Sequence, residues 1–259
     1  MNLKKLSGYH LKYIALFSML LDHIGVIFQA SLSKTTYFLF RAIGRLSFPL
    51  FCFILVEGFF HTKNRKKYQQ RLFIFAILSE IPYDLAFGHL ASDTVNIPYL
   101  LSHLQDTSSS SLTALLSNAF QQQNVLFTLF LGFTAMLWLE NIQKSRSISI
   151  TEIITVLIVF CCLSEVFRTD CGAAGILCIL VFYYVYKKRG SYIALPLKNG
   201  LTGIAPVALL TNISPFPVQL FALADCLILR CYNGEKGKGN KYFFYFFYPL
   251  HLLLLYLFH

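Results

Sequence analysis

The chain has 259 residues, of which 56% are hydrophobic and only 13% charged, with a mean hydropathy of +0.59 and a formal net charge of +10. That balance excludes an ordinary soluble domain. Apolar runs of roughly 20 residues without period-two alternation favour a helical bundle over a membrane barrel. The expected fold is all-α, a polytopic transmembrane helical bundle of about nine spanning helices forming one domain over residues 1–259.

Crossing about 30 Å of hydrocarbon sets the expected spans at roughly 11–29, 37–60, 71–88, 124–142, 150–167, 171–187, 192–211, 216–231 and 242–258. The first follows a basic start, as a secretory signal would. Asp22 and His23 sit in the middle of its apolar run, too polar and too deep for a signal core, so it reads as an uncleaved helix. The second span carries Arg41 and Arg45 near one end and Glu57 and His61 near the other. The third carries Glu80 and Asp84. The long connection Gly88 to Gln123 contains no Lys or Arg. It includes the low-complexity stretch Ser108 to Ser111 and a segment, Ser111 to Phe120, expected to lie as a short helix on the membrane surface. The later spans contain Asp225, and His251 just after Tyr248-Pro249, where a kink should aim the imidazole inward.

Basic residues test the topology independently. Lys4, Lys5 and Lys12 fall on one side, with Lys63, Arg65, Lys66, Lys67 and Arg71, then Lys144 and Arg146, Lys187 to Arg189, and Arg230, Lys236, Lys238 and Lys241. These are most of the 22 basic residues. The N-terminus is therefore expected in the cytoplasm and the C-terminus outside. The positive charge is accounted for by topology and anionic lipid, and gives no case for nucleic acid.

Ionisable groups within hydrocarbon are costly and are read by default as functional. Depth arithmetic puts His23 about 18 Å in from Leu11, and Arg41, Arg45, Glu80, Asp84 and His251 within reach of the same layer. Arg41 and Arg45 share a helix face, as do Glu80 and Asp84. Asp22 and His23, being adjacent, are splayed by about 100°, so Asp22 is suited to an arginine of the second span and not to orienting His23. Arg71 with Glu80 is a second conceivable ion pair. Glu57 and His61 read as an interfacial helix end. His10, His89, His103 and His259 read as loop or terminal residues. The seven cysteines lack metal-ligand spacing and read as packing residues. No metal site is expected.

Several strings carry a resemblance. They are Met19-Leu20-Leu21-Asp22-His23-Ile24-Gly25, Arg41-Ala42-Ile43-Gly44-Arg45-Leu46-Ser47-Phe48-Pro49, Val56-Glu57-Gly58-Phe59, Ser79-Glu80-Ile81-Pro82-Tyr83-Asp84 and Tyr248-Pro249-Leu250-His251. Together they resemble the TraX family over nearly the whole chain. A named member of that family is implicated in N-acetylating the amino terminus of a conjugative pilin subunit, so the resemblance implies a membrane acetyltransferase. A weaker resemblance, to the membrane acyltransferase-three group, rests on the Lys12 to His23 spacing. Arg41 and Arg45 are similar to that group's arginine pair but four apart where its motif has three.

These implications fit the layout. Acetyl-CoA would meet Lys12 and the cluster Arg65, Lys66, Lys67 and Arg71 at the cytoplasmic face. His23 would act as general base or transient acyl carrier, and Arg41 or Arg45 would stabilise the oxyanion. Asp22 or Glu80 would balance charge, and His251 would serve as second base or acceptor clamp. The acceptor would be an exported pilin-like peptide, another exported peptide or an envelope glycan, entering from outside the bacterial cytoplasmic membrane. The connection from His89 to Gln123 would select it. A proton-coupled transporter and a non-catalytic assembly protein are the competing classes.

Overall fold

A computed structural model describes residues 5–87, 122–145, 147, 149–193, 195–211 and 218–259. The expected surface helix at 111–120 and most of the long connection lie outside the described residues, as do Pro215 and Pro217. The described chain forms helices α1 Gly8–Ile27, α2 Lys34–Gly44, α3 Ser47–His61, α4 Arg65–Phe87, α5 Val125–Ser145, α6 Ile150–Val166, α7 Gly172–Arg189, α8 Leu197–Leu210, α9 Asp225–Arg230 and α10 Lys241–Phe258. Among the described residues there is no strand, only the isolated bridges Leu6 to Tyr232 and Gln123 to Thr169. The chain is an all-helical bundle, and seven of the nine expected spans correspond to single helices. The expected span 216–231 does not, its described part being a 3₁₀ stretch, Val218–Ala224, followed by the six-residue α9, neither of which is long enough to cross a bilayer.

Local chemistry sets the helix ends. The Ser7 N–H donates to His10 Nδ1 at 3.1 Å, so His10 caps the first turn of α1 and is not a loop residue. Ser149 and Glu152 form a reciprocal capping box at α6. Asn240 accepts from the Tyr242 N–H at 2.9 Å to open α10. At the other end of α7, Gly190 takes a left-handed conformation (φ +75°) behind Lys187, Lys188 and Arg189, the residue types that suit a helix C-terminus.

The second expected span, 37–60, is two helices. α2 stops at Gly44 and α3 starts at Ser47. Pro49 has no N–H to donate to the Arg45 carbonyl, so the hydrogen-bond ladder cannot pass through Arg45–Leu46. The Arg45 guanidinium closes the gap, its Nε donating to the Arg41 carbonyl at 3.2 Å.

α3 lies at the centre, packed against α1, α5, α7 and α8, and Leu50, Cys52, Phe53, Val56 and Phe59 are fully buried on it. α4 sits between α10 and α5, while α1 meets α2, α3 and α10. A 3₁₀ stretch, Val218–Ala224, packs on α2 and α8 before turning into the short α9. The outward faces are apolar at helical spacing: Ile74, Ile77, Leu78 and Ile81 on α4, Ile150, Ile154 and Ile158 on α6, and Phe246, Leu250 and Leu257 on α10 are all exposed. This inverted pattern is that of a bundle solvated by lipid.

Among the described residues, Gly8–Ile27, Lys34–His61 and Val125–Lys144 are long and apolar enough to cross a membrane, and Leu197–Leu210 and Tyr242–Phe258 are shorter apolar helices. One end of the bundle gathers the N-terminus, the α3–α4 turn, the end of α5, the end of α7 and the loop before α10. That end holds Lys63, Lys66, Lys144, Lys187 and Lys236 and is called the basic end below.

Candidate functional site

The first and last helices bring two imidazoles together. His23 Nδ1 and His251 Nε2 are 2.8 Å apart, with the ring planes only 8° from parallel. His251 Nδ1 lies 2.7 Å from the Phe247 carbonyl oxygen one turn back. A carbonyl can only accept, so His251 Nδ1 carries a proton. In the neutral ring, Nε2 is then an acceptor, and His23 must donate to it through Nδ1–H. His23 Nε2 is left with a bare lone pair, the form a general base or nucleophile needs. Phe87 packs edge-on to His23 at 5.1 Å, with Tyr248 at 6.3 Å and Phe247 stacked on His251 at 4.9 Å. This aromatic wall restricts water and fixes both rings. α10 runs unbroken through Pro249, and His251 is buried, turned into the bundle.

Asp22 points away from His23, as adjacent positions on a helix require, and takes both arginines. Arg41 Nη1 donates to Asp22 Oδ1 at 2.8 Å, and Arg45 Nη2 donates to the same oxygen. The three side chains are each at most a quarter exposed, so charge here is poorly screened. Two guanidiniums on one carboxylate leave one positive charge in surplus within this trio, a charge that nearby Asp170 offsets only when ionised. Gly44 makes the approach possible, since a Cβ there would run into Asp22 Cβ, Cγ and Oδ1. Arg45 Nη1 also donates to Gln219 Oε1 at 3.1 Å, tying the pair to the 3₁₀ stretch.

Asp170 adds a carboxyl from the α6–α7 turn. Burial pushes its pKa up, and the nearby Arg45 works against that. The turn is backbone-strained, with Arg168 (φ 49°) and Cys171 (φ 64°) both left-handed. It is held by the Asp170 N–H on the Gln123 carbonyl at 2.9 Å and by Thr128 Oγ1 donating to the Asp170 carbonyl.

Glu80 does not pair with Arg71. Its Oε2 accepts from the Asn124 N–H at 3.2 Å and from Asn124 Nδ2, while Oε1 is buried with no hydrogen-bond partner. Arg71 Nε instead faces Tyr245 Oη at 3.4 Å, and its guanidinium lies 5.5 Å from the Tyr68 ring. Glu57 accepts from Tyr232 Oη at 2.8 Å, with His61 at 3.5 Å. Asp225 is fully buried on α9, and neither carboxyl oxygen has a hydrogen-bond partner.

The basic residues expected to meet a donor divide into separate groups. Lys12 lies over the Tyr9 and Phe244 rings at 4.8 and 5.2 Å, between α1 and α10. Arg65 and Lys66 line a cavity of about 970 Å³ between the α3–α4 turn and α5, which neither Lys12 nor Arg71 reaches. Lys67 is exposed beside it, its backbone N–H held by Asn64 Oδ1 at 2.9 Å. Arg65 is neutralised by Glu140 at 3.3 Å. Among the described residues, no group of three His, Cys, Asp or Glu side chains is placed to hold a metal.

Sequence reasoning missed Asp170, Gln219 and Asn124 as members of this polar layer. Only Asp170 left a trace, as a charge in the very short connection between two apolar runs.

Residues 7–105 and 107–259 match the family described as TraX protein. The chain is also 30% identical over 256 residues to the "Probable fimbrial assembly protein FimC, serogroup H1" of Dichelobacter nodosus, covering 96% of this chain and 94% of that protein. No solved structure is significantly similar. On the family match and this full-length similarity together, the chain belongs to the TraX family.

Proposed function

We propose that the protein is a bacterial cytoplasmic-membrane acetyltransferase that moves an acetyl group from acetyl-CoA to the amino terminus of an exported, pilin-like peptide. The observation that carries this reading is the run from the Phe247 carbonyl through His251 to His23, which holds one imidazole nitrogen as a base in a largely dry site. The basic end faces the cytoplasm, where Lys and Arg accumulate, and the donor arrives there. The acceptor arrives from the opposite side.

In the reaction, the neutral amine attacks the thioester carbonyl carbon as His23 Nε2 removes a proton from the nitrogen. The tetrahedral intermediate collapses with cleavage of the C–S bond, and the thiolate of CoA takes the proton back from His23. The surplus positive charge of the Arg41–Arg45–Asp22 cluster stabilises the oxyanion. The name of the Dichelobacter relative supports a pilus-related acceptor. It also supports a second reading, a non-catalytic assembly factor.

Purified protein in nanodiscs, given acetyl-labelled acetyl-CoA and a pilin N-terminal peptide, tests the proposal. Label on the peptide amine, lost in His23→Gln, is the expected result. Label on a glycan hydroxyl would move the activity to O-acetylation. Absence of transfer to any acceptor, with pilus assembly intact in a His23→Gln strain, would overturn the enzyme reading in favour of the assembly factor.

A further inference from the structure

The cavity at the basic end has a composition that topology alone does not require. Lysines that only set orientation can be spread along loops, whereas here Lys63, Lys66 and Lys144 converge from the α3–α4 turn and the end of α5 on one concavity of about 970 Å³. All three are exposed, and no ion pair or hydrogen bond engages their ammonium groups among the described residues. The remaining cation, Arg65, is already balanced by Glu140. The N-terminus of the 23-residue helix α4 opens at the same place and adds its dipole. The cavity is therefore a pocket of uncompensated positive charge, far larger than a single phosphate and within the size range of nucleotide-sized ligands.

Its wall also carries an aromatic plate. Trp138 lines the cavity, is 51% exposed, and is braced edge-on by Phe160 at 5.8 Å. An exposed indole beside ammonium groups matches a ligand with a flat base and several phosphates, because base stacking and phosphate pairing are then satisfied together. Gln69 and Thr134, hydrogen-bonded to each other at 2.8 Å, supply polar groups at its floor.

We infer that this cavity seats the phosphates and base of an adenine nucleotide, with Lys63, Lys66 and Lys144 on the phosphates and Trp138 against the base. The inference deepens the acetyltransferase reading and rests on it for the identity of the nucleotide as the handle of the acyl donor. α4 sets the two places apart: its first turn walls the cavity, and its last residue, Phe87, which packs on His23, lies about 33 Å farther along the helix, so a donor seated here must move inward before its thioester meets His23.

Trp138 is the only tryptophan in the chain, so its fluorescence reports on this cavity alone. Purified full-length protein is titrated with adenosine 3′,5′-bisphosphate, coenzyme A and dephospho-coenzyme A. The expected result is saturable quenching, weaker for the ligand lacking the 3′-phosphate, with affinity reduced by about tenfold or more in Lys63→Ala/Lys66→Ala/Lys144→Ala. Because the three lysines are exposed and unpaired, that variant should keep its fold, checked by an unchanged unfolding midpoint. His23→Gln should retain full quenching. Quenching without acetyl transfer in the wild type would uphold the cavity and sink the enzyme reading. Transfer that survives the triple substitution, with no quenching by any nucleotide, would sink the cavity and leave the enzyme reading standing. Quenching by phosphatidylglycerol vesicles that nucleotides cannot displace would overturn the inference in favour of a lipid headgroup.

Discussion

His23 Nδ1 meets His251 Nε2 at 2.8 Å although 228 residues separate them. Because the Phe247 carbonyl fixes the proton on the far side of His251, the second histidine decides which nitrogen of the first is free. It is a positioning residue, and its loss should be felt through His23. His251→Phe is expected to lower the acetyl-transfer rate by about 10²-fold, near the low end of what a positioned base contributes. It should leave nucleotide quenching of Trp138 unchanged. Steady-state transfer kinetics beside the fluorescence titration read both. A variant with wild-type turnover would show that His23 needs no such support.

Gly44→Ala tests the arginine cluster through shape alone. The new methyl would occupy the space of Asp22 Cγ and Oδ1, so the carboxylate must leave its two guanidiniums. Transfer should fall at least as far as in Arg45→Gln, while the protein still inserts and purifies. Rate and yield from the same preparation separate the two effects.

Asp22→Asn keeps the shape and removes the charge, leaving Arg41 and Arg45 facing each other. Breaking a buried pair by neutralising one partner costs about 3–5 kcal/mol, and the partial exposure of these side chains argues for the lower figure, about 3 kcal/mol. Denaturant unfolding in detergent measures it. Adding Arg45→Gln should recover part of the loss, the signature of coupled neighbours in a double-mutant cycle.

Tyr232→Phe removes the hydroxyl that donates to Glu57 Oε1, whose other oxygen is already buried without a partner. A loss of about 1–3 kcal/mol is expected from the stranded carboxyl. Hydrogen exchange should rise at Leu6 and Asn233, whose backbones are hydrogen-bonded across the same junction.

Sidedness is checked chemically. In a background lacking the seven native cysteines, an impermeant maleimide applied to intact spheroplasts should label Thr35→Cys and spare Lys238→Cys until the membrane is opened. The reverse pattern would invert the proposed topology.

Most of the helices were legible in the apolar runs, since a run of about 20 residues has few other places to go, but the run read as a span over 216–231 forms a 3₁₀ stretch and the six-residue α9 instead of one spanning helix. The four-residue spacing of Arg41 and Arg45, with the splay between Asp22 and His23, was enough to assign Asp22 to the arginines. Pairing Arg71 with Glu80 failed for a geometric reason that the same arithmetic contains. Nine positions along a helix turn the side chain through about 180°, so the two look in opposite directions, and Tyr245 of α10 takes one while Asn124, just before α5, takes the other. The break at Arg45–Leu46 was readable from Pro49 but was outweighed by the length of the apolar run. Gln219, Asp170 and Asn124 reach the polar layer through contacts between distant segments, which no local pattern encodes. The donor cluster divided because one charge-rich stretch, from Lys63 to Arg71, winds around α4 and serves two faces of it.

The paired imidazoles come from α1 and α10, which are synthesised far apart in time. During insertion, the segment bearing Asp22 and His23 enters the bilayer long before residue 251 has left the ribosome, and until then His23 lacks its fixed tautomer. The imidazole pair is thus incomplete until α10 docks, and a polypeptide cut just before that helix would hold the rest of the polar layer yet leave His23 without its partner.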